Sequence, residues 1–446
     1  MKYKTTFKLE NYILDTKWDS FPPIVRERIK GCAIDLFGAL IVGSKSNQFK
    51  VGLKLAADVF GKGTVPVVGS NEKFNFIGAS AAMGHSSNAY DIDDGHNIIR
   101  AHPGAAIIAP ILAAALEKGA TRDEFYAAMI VGYETCIRSG QAIMKHYANP
   151  HSTGTFGPAG IVAGVARIYN YTKEELNNCL SIAEFNAPLV AGERSVEYPS
   201  MNKDGVPFGT MTGALAIKEH ESGFKGNMNL LESEDYKYLT EDLGDNYEIM
   251  NLYFKPYTCC RWAHPAIDAC LEIMDNNGIV ADEIENVTIQ TFLNATKLSK
   301  IVPATADEAQ YNIAYPVAAA ILYHDFGIAQ VHESKIPDPA VTYMMNRLHF
   351  EENKDMTAIF PEYRLCKAVI KTKDGKAYTS RCLEPYGEAS DNIGTKWLSE
   401  KFKRITGPVF TESGQEKILD MLTSKEDLNT LDIVNEVNKA EYWKDF

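Results

Sequence analysis

Apolar residues return every third or fourth position through roughly the first 250 residues, the period of a helix buried on one face. Behind Pro22 and Pro23, which suit a first helical turn, Val25, Ile29, Cys32, Ala33, Leu36 and Leu40 keep that spacing. Gly38 and Gly43 inside this segment point to close backbone approach rather than helix failure. Pro103 opens a second helix, apolar through Leu116, which Gly119 can end. Residues 156–169 carry Gly160, Ala163, Gly164 and Ala166, small enough for tight helix contacts. Thr172 and Glu175 form a capping box ahead of residues 176–182.

The period changes after about residue 270. Residues 287–291 alternate as a strand does, and residues 368–373 and 376–381 flank Asp374-Gly375 as a tight hairpin. Helical pieces lie between them, as at residues 315–323. From Ile393 helical spacing returns with Trp397, Leu398 and Phe402, and later Ile418, Met421 and Leu422. The expected architecture is mainly α: a large all-helical domain (1–265 and 395–446) interrupted by a smaller α+β domain (266–394). A chain of 446 residues suits two domains.

The formal net charge of −13, without any Lys/Arg-rich run, argues against nucleic acid as partner. An anionic small molecule stays compatible, because a few cations converging in a cleft reverse the field locally. No apolar run reaches the length of a membrane span, and residues 1–20 lack the apolar core of a signal peptide. Eight scattered cysteines without a CxxC pair suggest neither a disulfide framework nor structural zinc, so the expectation is a reducing cytoplasm.

Four stretches carry candidate chemistry. In Asn88-Ala89-Tyr90-Asp91-Ile92-Asp93-Asp94-Gly95-His96, three carboxylates crowd four positions and require compensation. His102 follows, between Arg100 and Pro103, at the start of the buried helix. The positive end of the helix dipole disfavours imidazolium there and predicts a neutral base; the plainer alternative is a capping histidine among capping carboxylates. Asp91-Ile92-Asp93-Asp94 also matches the DxDD proton donor of terpene cyclases, but the aromatic repeats of that fold are lacking, and a magnesium site lacks its phosphate loop. The second stretch, His151-Ser152-Thr153-Gly154, sets a histidine and hydroxyls beside a pliable backbone. The third, Lys203-Asp204-Gly205, puts a lysine at a Gly-rich helix start suited to carboxylates, with a surface lysine as the alternative. The fourth runs from Lys255 to Pro265 and gathers Cys259, Cys260, Arg261 and His264 where the two patterns meet. Its thiols are either core residues or, beside Lys255 and Arg261, activated ones.

In order and spacing these stretches resemble the MmgE/PrpD family along nearly the whole chain. The resemblance includes residues 34–38, the Asp91 to Gly104 signature, Lys203, Lys255-Pro256-Tyr257, residues 308–315 and Glu384-Pro385-Tyr386-Gly387. It implies a helical domain with an α+β lid, a homodimer, no metal or organic cofactor, and one of three activities: 2-methylcitrate dehydratase, cis-aconitate decarboxylase or iminodisuccinate epimerase. By motif, Asp91, His102, His151, Lys203, Lys255 and Tyr315 would be catalytic, with Arg100, Cys259, Arg261 and His264 contacting the substrate. Gly95 replaces the hydroxyl residue of the decarboxylase pattern, and Lys203 to Gly209 and Cys259-Cys260-Arg261-Trp262 lean toward the epimerase branch. The favoured expectation is a cofactor-independent hydro-lyase dehydrating a small hydroxy-polycarboxylate. A dicarboxylate epimerase is the alternative, and a decarboxylase or non-catalytic carboxylate binder stands behind both.

Overall fold

The computed structural model describes residues 7–147, 153–189 and 193–446. Its centre is the Pro103–Lys118 helix, buried on every side from Pro103 to Leu116. Apolar residues around its whole circumference require that position. Helices Phe76–Ser86, Arg122–Met144, Thr153–Ile168 and Val206–Glu221 pack around it. Pro110 sits inside this helix and cannot donate to the Ala106 carbonyl. The Thr210 hydroxyl donates to that carbonyl instead, at 3.2 Å. Gly119 takes the left-handed conformation that ends the helix, as expected. The Thr172–Glu175 capping box opens Lys173–Asn186, and a second box, Thr121–Glu124, opens Arg122–Met144. The small residues at 156–169 serve close packing: a Cβ on Gly160 would lie 2.5 Å from the Gly132 carbonyl oxygen.

The smaller α+β part holds a four-stranded sheet in the order Leu348–Glu352, Ile284–Thr291, Cys366–Thr372, Ala377–Thr379. The two expected hairpin strands pair antiparallel around Asp374-Gly375, where Gly375 has φ +86°. Val287, Ile289, Ala368 and Ile370 are buried on one face, and helix His264–Asn277 packs against the Cys366–Thr372 strand. The edge strand Leu348–Glu352 runs parallel to Ile284–Thr291 and escapes the sequence reading. It is five residues long, ends on two glutamates and buries only Leu348, so alternation hardly marks it.

The last helices return to the helical part. Thr395–Thr406 packs along Pro23–Gly43, and Thr430–Val437 reaches the central helix. The return is tied electrostatically: the buried Lys401 ammonium donates to Asp35 on the Pro23–Gly43 helix and, at 2.6 Å, to the Ile92 carbonyl. No helix among the described residues is long and apolar enough to cross a membrane.

Candidate active site

A cavity of about 280 Å³ opens where three pieces of chain meet. The acidic loop supplies Asp91, His96, Asn97, Arg100 and His102; the 253–262 segment supplies Tyr253, Lys255, Cys260, Arg261 and Trp262; the smaller part supplies Asn294, Tyr311, Phe360, Pro361 and Arg364. Asp204 and Val196 complete the wall. The first two pieces are stitched together by antiparallel pairing of Gly95 with Tyr253 and His96 with Leu252. A Cβ at position 95 would lie 2.2 Å from the Tyr253 phenol, which explains why no hydroxyl-bearing residue stands there.

The compressed acidic loop is held by unlike partners for each carboxylate. Lys255 donates to the Asp91 side chain at 2.5 Å and to its carbonyl at 3.0 Å. Asn88 donates to Asp93 at 2.7 Å. Asp94 accepts the Gly104 N–H at 3.0 Å and the Tyr133 hydroxyl, capping the central helix. Burial, then the nearby Asp35 carboxylate, pushes the Asp94 carboxyl up to about 7. Asp91, Arg100 and Lys203 all adopt left-handed φ near +50°, strain that sits around one cavity.

His102 lies at the hub. Its Nδ1 is 2.9 Å from the Asp94 carbonyl and 3.2 Å from Asp93, and its Nε2 is 3.2 Å from Asp204 and 3.6 Å from Asp91. Thr153 accepts its backbone N–H. The expected neutral imidazole is corrected here. Burial and Lys255 oppose protonation, but Asp93 and hydrogen bonds to Asp204 and Asp93 outweigh them and hold the pKa well above the usual histidine value. Three carboxylates within 3.6 Å act more strongly than one helix terminus. Lys255 likewise stays charged, because Asp91 and Asp93 overcome the effect of its burial.

Cations line the cavity as well. Arg100, Arg261 and Arg364 line it, so with Lys255 and the His102 imidazolium five cations meet two carboxylates, Asp91 and Asp204, in the wall of a chain whose net charge is −13. Arg261 stacks on Tyr253 with its guanidinium carbon 3.7 Å from the ring centre. Its Nη2 meets Glu388 at 2.6 Å, while its buried Nε and Nη1 have no hydrogen-bond partner among the described residues.

Asp91, Arg100, His102, Lys255 and Arg261 are thus brought together by the structure. His151 lies outside the described residues. Lys203 turns away from the cavity and pairs, fully buried, with Asp307 at 2.8 Å and Gln310 at 2.5 Å; its neighbour Asp204 is the residue that faces in. Tyr315 is buried outside the cavity, its hydroxyl accepting the Asp338 N–H at 3.3 Å, and Tyr311 presents the phenol instead. Burial keeps Tyr311 protonated far above neutrality. His264 hydrogen-bonds the Cys259 carbonyl at 3.0 Å and is held neutral by burial and by Arg261. Cys259 is buried behind the wall, and Cys260 alone of the two thiols lines it. Their expected activation is not found: burial first, with Asp91 nearby, raises both thiols, Cys260 to about 12. The sequence reading missed Asp204, Tyr311 and Arg364. Asp204 and Tyr311 lay inside motifs already singled out, whereas a lone arginine ahead of a strand carries no signal.

Asp91, Asp93 and His102 form a trio close enough to share a metal ion. The Lys255 ammonium already occupies the Asp91 carboxylate, and a divalent ion there would meet like charge.

Fold and site together define the class: a mainly helical protein with a smaller α+β part and a cavity lined by closely spaced charged groups. The comparisons name the family. The MmgE/PrpD N-terminal domain matches residues 8–240 and the MmgE/PrpD C-terminal domain residues 257–427, so the chain belongs to the MmgE/PrpD family, one of dehydratase and lyase type. No curated protein matches the chain significantly.

Proposed function

We propose that the chain is a hydro-lyase that removes water from a small hydroxy-polycarboxylate, of the 2-methylcitrate dehydratase kind. The observation that carries this reading is the His102 hub, bracketed by Asp93 and Asp204 and facing a wall of arginines and Lys255. Elimination needs a base for the proton next to a carboxylate, an acid for the departing hydroxyl, and fixed positive charge for the intermediate dianion. A carboxylate beside Nε2, Asp91 or Asp204, takes the carbon-bound proton. The electron pair forms the C=C bond as the C–O bond breaks, and the His102 imidazolium protonates the leaving hydroxyl to water. Tyr311, protonated at any working pH, supplies a neutral hydrogen bond. Each fixed donor contributes about 10²–10³-fold in rate.

The test is incubation with a panel of hydroxy-polycarboxylates in heavy water, followed by ultraviolet absorbance and proton NMR. A conjugated alkene is expected. Deuterium exchange at carbon without loss of water would replace the dehydratase by the epimerase, and binding with neither change would leave a carboxylate-binding protein.

A further inference from the structure

Arg364 has no part in the proton chemistry. It stands between Phe360-Pro361 and the Cys366–Thr372 strand, with only 7% of its surface exposed, and it lines the cavity. No hydrogen bond or ion pair joins it to any described residue. Two carboxylates act on it from a distance, Glu388 and Glu384, and Glu388 is already held by Arg261 at 2.6 Å and by Asn97 at 2.7 Å. Its other charged neighbours include Arg261 and Arg100, which repel it. Burial, together with these two arginines, lowers its pKa, yet a guanidinium does not deprotonate in a protein. Lysine or histidine in this place would escape by losing a proton. Arginine cannot, so the charge persists in a poorly hydrated wall, beside the Nε and Nη1 of Arg261, which have no hydrogen-bond partner among the described residues. A buried cation without an anion is costly to the fold, and a bound anion removes that cost.

We infer that Arg364 is a specificity-determining residue that binds a carboxylate of the substrate remote from His102, sharing it with Arg261. The inference rests on the polycarboxylate reading of the site and narrows it: the substrate carries one carboxylate beside the reacting carbon and another at the Arg364 end. Arg364 touches no reacting atom, and its role is to set register and to reject acids lacking the second charge.

The experiment uses three unreactive acids on related carbon chains: tricarballylate, glutarate and butyrate, with three, two and one carboxylates. Ligand-observed NMR titration of the full chain gives the affinity of each. In the natural protein affinity falls at each removal of a carboxylate. In Arg364→Met one of the two steps vanishes, a loss of roughly ten- to hundredfold for the acid that carried it, the range of a charge-assisted hydrogen bond. Arg364→Lys keeps the charge without the two-pronged geometry and falls between. Thermal denaturation of ligand-free Arg364→Met should give an unchanged or higher Tm, because an unpaired buried charge is gone. Both steps surviving in a folded Arg364→Met would overturn the inference, as would a drop in Tm with unaltered affinities, which makes Arg364 a packing residue. These acids bear no hydroxyl, so binding and turnover are separable. Failure of every hydroxy acid to react would sink the dehydratase reading alone; turnover with a KM indifferent to Arg364 would sink this one alone.

Discussion

Two groups of residues around the cavity, the acidic-loop group and the arginine group, handle charge in opposite ways. In the acidic-loop group the charges are partnered within the protein, Asp91 with Lys255, Asp93 and Asp204 with His102, and Asp35 with Lys401, while Asp94 is held by hydrogen bonds from Tyr133 and Gly104. In the arginine group, among the described residues, Arg364 has no hydrogen-bond or ion-pair partner and Arg261 has one for a single nitrogen. The first is complete without ligand and holds its protonation states in advance, which is what proton transfer requires. The second is incomplete, and an incomplete buried cationic wall stores affinity for an anion. The difference separates residues that set the rate from residues that set binding.

The strongest way to break this division is His102→Gln. Glutamine keeps polarity and much of the volume but carries no proton to give, so turnover should fall about 10²–10⁴-fold. Tricarballylate affinity should change far less. Lost affinity with near-normal turnover per folded molecule would reverse the assignment of the two groups.

Lys401→Met tests whether the compensated group is also a structural unit. It strands the Asp35 carboxylate in the interior and frees the Ile92 carbonyl between Asp91 and Asp93. Removing one partner of a buried pair costs about 3–5 kcal/mol, measurable by urea denaturation. The double variant Asp35→Leu/Lys401→Met should recover most of it. Equal stability of the single variant and the natural protein would show the pair to be idle.

Lys203→Ala has a smaller effect of the same kind. The lysine is buried against Asp307 and Gln310, so the loss is expected in stability, at about 1–3 kcal/mol, and only secondarily in KM. A raised KM at unchanged stability would return Lys203 to the binding wall.

Glu10 sharpens the contrast from outside the cavity. It too is buried without a cation among the described residues, but a carboxyl neutralises itself: burial, and then Glu232 against a backbone hydrogen bond, leave its pKa raised to about 8. A raised folded-state pKa contributes stability that is fully present below the unfolded value, near 4.5, and is lost as pH rises through about 8. Glu10→Gln should therefore match the natural protein at pH 5 and melt a few degrees higher at pH 9. An equal gap at both pH values would mean that Glu10 is ionised throughout.

Much of the helical body was written into the chain. Pro103 and Gly119 bracket the central helix, and Thr172 with Glu175 opens another, because caps and breakers act over a few residues. The 287–291 strand and the Asp374-Gly375 hairpin were legible from alternation, and the edge strand was not, since it buries almost nothing. In the site, the Asp91 cluster, His102, Lys255 and Arg261 stood out because charge crowded into a short segment demands an explanation. Only the tertiary structure decided which member of each motif faces the cavity. A left-handed turn at Lys203 sends Asp204 inward, and the short Ala306–Gln310 helix presents Tyr311 rather than Tyr315. It also decided the charge of His102, which depends on Asp204 arriving from about a hundred residues away, and it brought Arg364 to the wall. Local propensity travels with the residues that carry it; electrostatic environment belongs to whatever the fold places within a few ångströms.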